Sequence, residues 1–428
     1  MTGTDIPPFP PLSRAGRQSG RHALPLHKKT FHMKPQKHIV FAMSEVGASH
    51  IPEGKPCQDF SLKVDENGVR MVVVCDGHGS STYIRSDIGA RLAAEVTKEA
   101  VMDFVQNTPP ELFKDRKGAV GVRPTVEDIR RGAKAAPAED PTEAERKTRQ
   151  QNQTFFSQVK DILPQDIVIV ALLRNIYSSW LTAIRNHYSQ NPLSDAEKAA
   201  LGNRSIVKAY GTTLMAFVET PHYWLSFHIG DGRIVTVDQD LSMTNPVPWD
   251  SECFLNITTS LCNSRPVRLF RYAFDGTGTF PAAVLCCSDG IEDSYGDYEL
   301  APHFLHEWYR CVLSEFCLNG ESATLEQMKK FFPRLSQKGS KDDISLAGII
   351  DTEATAKAIE NDIRQQLTEI ERQLETGRRQ AEDHKCRMED LDRQKNELEQ
   401  ELIMMGLGAP DSGEGRMSAN GEQPPEDE

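Results

Sequence analysis

No stretch of this chain comes close to the ~18 consecutive apolar residues of a membrane helix. Its first residues are broken by proline before any small-residue cleavage site, so neither a membrane span nor a secretory leader is expected. Positive charge is short as well: 49 Lys and Arg face 62 Asp and Glu, a net charge of −13, which argues against a nucleic-acid binder. The nine cysteines lack C-x-x-C or other metal-ligand spacing, which removes zinc-binding modules from consideration. Several fall inside apolar runs and read as small buried hydrophobes of a reducing compartment, so a cytoplasmic location is expected. Apolar residues make up only 38% of the 428, and the polar excess gathers at both ends and in one internal stretch. One large domain with appendages follows.

What the chain does have is a repeated junction between apolar strand and acidic turn. Val69 to Cys75 runs into Asp76-Gly77-His78-Gly79. Phe227-His228-Ile229 runs into Gly230-Asp231-Gly232, and Val284 to Ser288 into Asp289-Gly290. The pair Asp342-Asp343 opens the last apolar run, Ile344 to Ile350. One Asp-Gly is a weak signal, since it is also a common hairpin turn. Four such aspartate sites at strand ends read as a set of hard-cation ligands, suited to Mg²⁺ or Mn²⁺. Two such ions sharing a carboxylate acidify a bridging water, and phosphate esters are the natural substrate class. His78, two residues beyond Asp76, is a candidate general acid for the leaving alkoxide. The competing reading of His78 is a turn histidine bonded to backbone.

The rest of the chain falls into four parts. Residues 1–37 are a Pro, Gly, Ser and basic-rich arm expected to be flexible. Residues 38–351 form the globular part, with a hairpin of Phe60–Val64 and Val69–Val74 turning at Asn67-Gly68. A helix follows Asp76, capped near Ser86 or Asp87, and a second spans about 166–189 with Leu172, Ile176, Trp180 and Ile184 on one stripe. Between them, 107–160 is a Pro- and charge-rich insertion. Strands follow over 211–218, 222–229 and 234–237, then an irregular stretch at 239–280 and a helix near 322–332. In residues 354–405, Leu367, Leu374, Ala381, Met388 and Leu402 share one seven-residue register. Ile363, Ile370, Leu391, Leu398 and Met405 share the complementary one, which predicts a coiled coil and a dimer. Gly377, His384 and Lys395 interrupt the seam. Residues 406–428 are an acidic, Gly/Pro-rich tail expected to be disordered.

The ordered set Gln58-Asp59, Asp76-Gly77-His78-Gly79, Gly211-Thr212-Thr213, Gly230-Asp231-Gly232-Arg233, Ser288-Asp289-Gly290 and Gly339 to Asp343 resembles the type 2C metal-dependent Ser/Thr protein phosphatases, in their bacterial branch. The resemblance covers about residues 38–351. It implies an α+β fold, a four-layer α-β-β-α sandwich of two antiparallel sheets, here followed by the coiled-coil helix. It implies two Mg²⁺ or Mn²⁺ ions and a third, weaker one. Asp76 would bridge the first two, with the Gly77 carbonyl on the second and Asp289 and Asp342 on the first. Asp59 would act through a metal-bound water, Asp231 on the third ion, and His78 as general acid. A phosphoprotein substrate and a cognate Ser/Thr kinase system are the implied partners. Two departures stand out. Gln58 replaces the usual glutamate, and Gly54 stands where many members carry a phosphate-gripping arginine, leaving Lys55 as the nearest cation. The alternative function is a catalytically silent scaffold that binds phosphoproteins and oligomerises through its coiled coil.

Overall fold

A computed structural model of the chain describes residues 37–121, 163–250, 253, 258–295 and 302–405. The expectations for the basic arm, most of the insertion and the acidic tail lie outside these residues. The described part divides into two units, one ending at Asp362 and the other beginning at Ile363.

The chain opens with β1 (His38–Glu45), β2 (Phe60–Glu66) and β3 (Val69–Cys75). The β2–β3 turn is the predicted one: Asn67 and Gly68 both take positive φ, 56° and 78°, the twist a two-residue hairpin needs. Helix α1 (Ser86–Asn107) follows; its N-cap is Arg85, with no side-chain cap bond, so Ser86 and Asp87 lie inside the first turn rather than capping it. Next come β4 (Lys117–Val120), α2 (Pro164–Gln190), α3 (Asp195–Leu201), α4 (Ile206–Ala209), β5 (Leu214–Glu219), β6 (Trp224–Ile229), β7 (Arg233–Val237) and β8 (Met243–Thr244). After β9 (Arg271–Asp275) and β10 (Ala283–Cys287) come α5 (Asp289–Tyr295), α6 (Pro302–Lys338), β11 (Ile344–Asp351) and α7 (Thr352–Met404).

The strands form two antiparallel sheets, ordered β1-β11-β10-β7-β8 and β2-β3-β5-β6-β9-β4. Strand alternation builds the layers. Met71, Val73 and Cys75 of β3, with Leu214, Ala216 and Val218 of β5, join the core shared with α1 and α2. The intervening Val72, Val74, Met215 and Phe217 meet Val284, Cys286, Ala347 and Ile349 between the sheets. The opposite residues of β10 and β11, Leu285, Cys287, Leu346 and Ile350, pack against Trp308, Val312, Phe316 and Phe332 of α6. The expected α-β-β-α sandwich is therefore present.

Four local expectations change. The 239–280 stretch contains a real strand, β9, which is held between β6 and β4. The helix near 322–332 is the second half of α6, which kinks at Gly320 (φ 74°). Cys75, Cys286 and Cys287 are buried in strands as read, but Cys311 and Cys386 are exposed. Finally, α2 is long and apolar enough to cross a membrane by length and composition, with mean hydropathy 1.6 over 18 residues. Here its stripe of Leu172, Ile176, Trp180 and Ile184 is buried in the core with α1, and the Trp180 indole donates to the Gly89 carbonyl at 3.0 Å.

The first turns of α7 belong to the larger unit. Thr355 and Ala358 are buried, and Arg310 pairs with Asp362. The remainder of α7, from Ile363, belongs to the second unit, and most of its apolar seam is exposed.

Candidate metal centre

Asp76 is delivered by the end of β3 and clamped by the start of β5. Its amide donates to the Thr213 hydroxyl at 3.0 Å, while its carbonyl accepts from the Thr213 amide and the Thr212 hydroxyl at 2.8 and 2.9 Å. The next residue must be glycine, because a Cβ on Gly77 would lie 2.5 Å from the Gln58 carbonyl oxygen. Asp231 follows Gly230, whose φ of 128° turns the chain from β6 to β7. Asp289 begins α5 directly after β10 and Ser288, so its carboxylate stands at a helix start.

These three chain segments bring the carboxylates of Asp76, Asp231 and Asp289 within 4.8 Å of one another, all half-buried. Burial first, and then the charge of its neighbours, raises Asp76 and Asp289 well above the usual carboxylate range. For Asp76 the neighbours are Asp289, Asp59, Asp231 and Asp342; for Asp289 they are Asp231, Asp342 and Asp293. Asp231 is raised too, chiefly by burial. Asp59, just before β2, is pushed up to about 7 by burial and by Asp343, against the hydroxyls of Ser288 and Ser345. Its Oδ2 is buried with no hydrogen-bond partner. Crowded carboxylates with an orphaned buried oxygen are what a hard, multiply charged cation relieves, so the donor set fits Mg²⁺ or Mn²⁺.

The structure separates the two residues of the Asp342-Asp343 pair. Asp343 is buried and its oxygens are committed, accepting from the amides of Gly47 (2.5 Å) and Gln58 (2.6 Å) and from His50 Nδ1 (3.0 Å). Asp342 is exposed, grouped with His50 and Asp343 rather than inside the tight triad, yet its charge acts on Asp76 and Asp289.

His78 lies against Tyr83 with the rings tilted by 58° and their centroids 4.6 Å apart, and its amide donates to the Gly211 carbonyl. Burial, and then Lys208, lower its imidazole to about 4. It is therefore neutral near pH 7, a charge state opposed to that of a ready acid. Lys55 is exposed and pairs with Glu53 at 2.7 Å. Gln58, in the glutamate position, works as a donor. Its side-chain amide reaches the Ser86 hydroxyl at 2.5 Å and the His78 carbonyl at 3.3 Å.

Sequence reasoning missed Asp293, whose charge raises Asp289 and which is itself raised, mainly by burial. Its spacing of four from Asp289 on one helix was an available signal. The role of Arg233 is likewise not visible in its turn sequence. Here it is held by Glu292 at 2.8 Å and covered by the Trp249 ring at 3.9 Å.

A profile of the protein phosphatase 2C family matches residues 46–332, about two thirds of the chain. The chain belongs to this family. No curated protein matches it in sequence. Among solved structures it is similar to PppA, described as a key regulatory component of T6SS in Pseudomonas aeruginosa, at 14% identity over 74% of this chain and 98% of that one, TM-score 0.39. It is also similar to the Mycobacterium tuberculosis serine/threonine phosphatase PstP/Ppp, at 13% identity over 73% of this chain and 98% of that one, TM-score 0.39. A PstP catalytic domain in complex with two manganese ions matches at 15% identity over 73% and 97%, TM-score 0.38.

Proposed function

We propose that the chain hydrolyses phosphoserine and phosphothreonine esters in proteins, using two Mg²⁺ or Mn²⁺ ions. The observation that carries this reading is the convergence of Asp76, Asp231 and Asp289 within 4.8 Å at the ends of three different strands, in a chain of this family. Asp76, the Gly77 carbonyl, Asp289 and Asp342 would hold the two ions, Asp59 would act through an intervening water, and Asp231 would serve a third, weaker ion. When bound, such ions supply Lewis acidity at the phosphoryl group and acidify the attacking water.

The chain's own residues do the positioning. Thr212 and Thr213 fix the Asp76 backbone, and Ser288 and Ser345 orient Asp59. His78 would donate its proton to the leaving serine or threonine oxygen. Burial and Lys208 oppose the imidazolium, and the arriving phosphate dianion favours it. Purified full-length chain with Mn²⁺ should hydrolyse nitrophenyl phosphate and a phosphothreonine peptide, and a chelator should abolish both activities. His78→Gln should slow the peptide far more than nitrophenyl phosphate, whose leaving group needs little protonation. An equal loss on both substrates, at equal metal content, would make His78 a structural residue.

The reading extends to the C-terminal helix, which pairs two copies of the chain. Most of its seam residues are strongly exposed, from Ile363 at 47% to Met405 at 69%, with Leu402 half-buried, and a strict seven-residue repeat needs a partner helix. Charge selects the arrangement. In a parallel, in-register pair Arg387 meets Asp392 of the second copy, and the other flanking positions set Gln against Glu371, Arg378, Lys385 and Glu399. An antiparallel pair along the same seam sets Arg378 against Lys385 and Glu371 against Asp392, two like-charge contacts against one favourable contact of Arg364 with Glu399. A cognate kinase and a cytoplasmic setting complete the proposal.

A further inference from the structure

Four cations near the metal centre are spoken for: Arg233 by Glu292, Arg85 by Glu197, Arg271 by Asp250 and Lys55 by Glu53. Lys208 differs. It is half-buried on α4, and among the described residues no carboxylate lies within ion-pair distance of it. Its ammonium contacts the Cys262 thiol at 3.6 Å and lies 5.9 Å from the centre of the Tyr83 ring. That ring in turn lies 4.6 Å, centroid to centroid, from His78.

Lys208 is also tied to the site through the backbone. The Gly211 amide donates to the Lys208 carbonyl at 3.2 Å, and the His78 amide donates to the Gly211 carbonyl at 3.2 Å. Two hydrogen bonds thus separate it from the turn that carries Asp76. A side-chain cation withdrawn from water without a counter-charge is costly to hold. The cost is offset when an anion arrives, and an aromatic wall on one side aims the ammonium without neutralising it.

We propose that Lys208 receives an oxyanion of the substrate at the rim of the aspartate cluster, on the side of Tyr83 and His78. This rests on the phosphatase reading above. The oxyanion is either a phosphoryl oxygen or a carboxylate beside the phosphorylated residue, and the same contact serves both.

The test uses full-length chain with Mn²⁺ and three substrates: nitrophenyl phosphate and two phosphothreonine peptides that differ only in flanking Glu or Ala. Lys208→Met keeps the apolar stem over Tyr83 and removes the charge; Lys208→Arg keeps the charge. Lys208→Met should raise KM about tenfold with kcat little changed, and Lys208→Arg should restore most of it. A rise on all three substrates assigns the phosphoryl oxygens. A rise confined to the Glu-flanked peptide assigns the carboxylate. Unchanged KM throughout, or the same loss in Met and Arg variants, overturns the proposal. Should the wild type show no turnover, the phosphatase reading fails by itself. Calorimetric titration of inorganic phosphate into the Mn²⁺-loaded chain then still reads Lys208: about tenfold weaker binding in Lys208→Met is expected. Equal binding would reject it.

Discussion

The side-chain amide of Gln58 donates to the carbonyl oxygen of His78 at 3.3 Å, while its backbone amide donates to Asp343 Oδ2 at 2.6 Å. One residue thus joins the segment before β2, the Asp76–His78 turn and the pair that opens β11. A glutamate here offers only acceptors, one of them facing the His78 carbonyl. Gln58→Glu should therefore destabilise the chain in chelator by roughly 1–3 kcal/mol. Thermal denaturation checks this, and an unchanged melting temperature would show that the amide is no strut.

Asp76 stands at the centre of the carboxylate cluster, and Asp231 belongs to the turn beyond it. Asp76→Asn should abolish Mn²⁺-dependent hydrolysis and weaken binding of both principal ions together. Asp231→Asn should leave those two ions in place. Calorimetric titration with Mn²⁺ separates the outcomes, and wild-type turnover in Asp76→Asn at saturating metal would sink the dinuclear assignment.

Asp59 gives a pH dependence with a definite sign. Folding raises its pKa from the ordinary 3.8 to about 7, so the metal-free folded state holds a proton that the unfolded state releases. This contribution to stability is fully present below pH 4 and is lost as pH rises towards 7. In chelator, Asp59→Asn should therefore be more stable than wild type at pH 7.5 and about equal at pH 4. Saturating Mn²⁺ should erase the advantage. The same stability difference at both pH values would contradict the assignment.

For the seam, truncation after Asp362 is the informative cut. Thr355 and Ala358 are buried, so removing everything after Asp351 would strip packing from the larger unit. The chain ending at Asp362 should be a monomer by light scattering and should still hydrolyse nitrophenyl phosphate. In a Cys386→Ser background, Leu391→Cys should oxidise to a covalent dimer, because a parallel pair places Leu391 opposite itself. An intact chain that is monomeric at micromolar concentration would refute the pairing.

Much of the site was legible because strand alternation is local. Val69 to Cys75 declares both faces of a sheet strand, and the residue that ends it declares an acidic edge. The hairpin at Asn67-Gly68 and the stripe Leu172, Ile176, Trp180 and Ile184 were readable for the same reason. What escaped depends on distant partners. The five-residue β9 is fixed by β6 and β4 rather than by its own pattern. The different fates of Asp342 and Asp343 follow from three donors, Gly47, His50 and Gln58, nearly 300 residues upstream. The link from Lys208 through Tyr83 to His78 leaves no trace in residue spacing.

The position of β11 has a consequence for how the protein is made. The last strand of the fold lies between the first strand and β10, and Thr352 donates from its amide to the Lys37 carbonyl at 3.0 Å. A chain emerging from the ribosome therefore cannot close this sheet until residue 351 is free. Asp342 and the amide-binding Asp343 arrive only with that strand. The aspartate cluster is therefore assembled only after residue 351 has been made, and a polypeptide ended before Asp342 lacks both members of that pair.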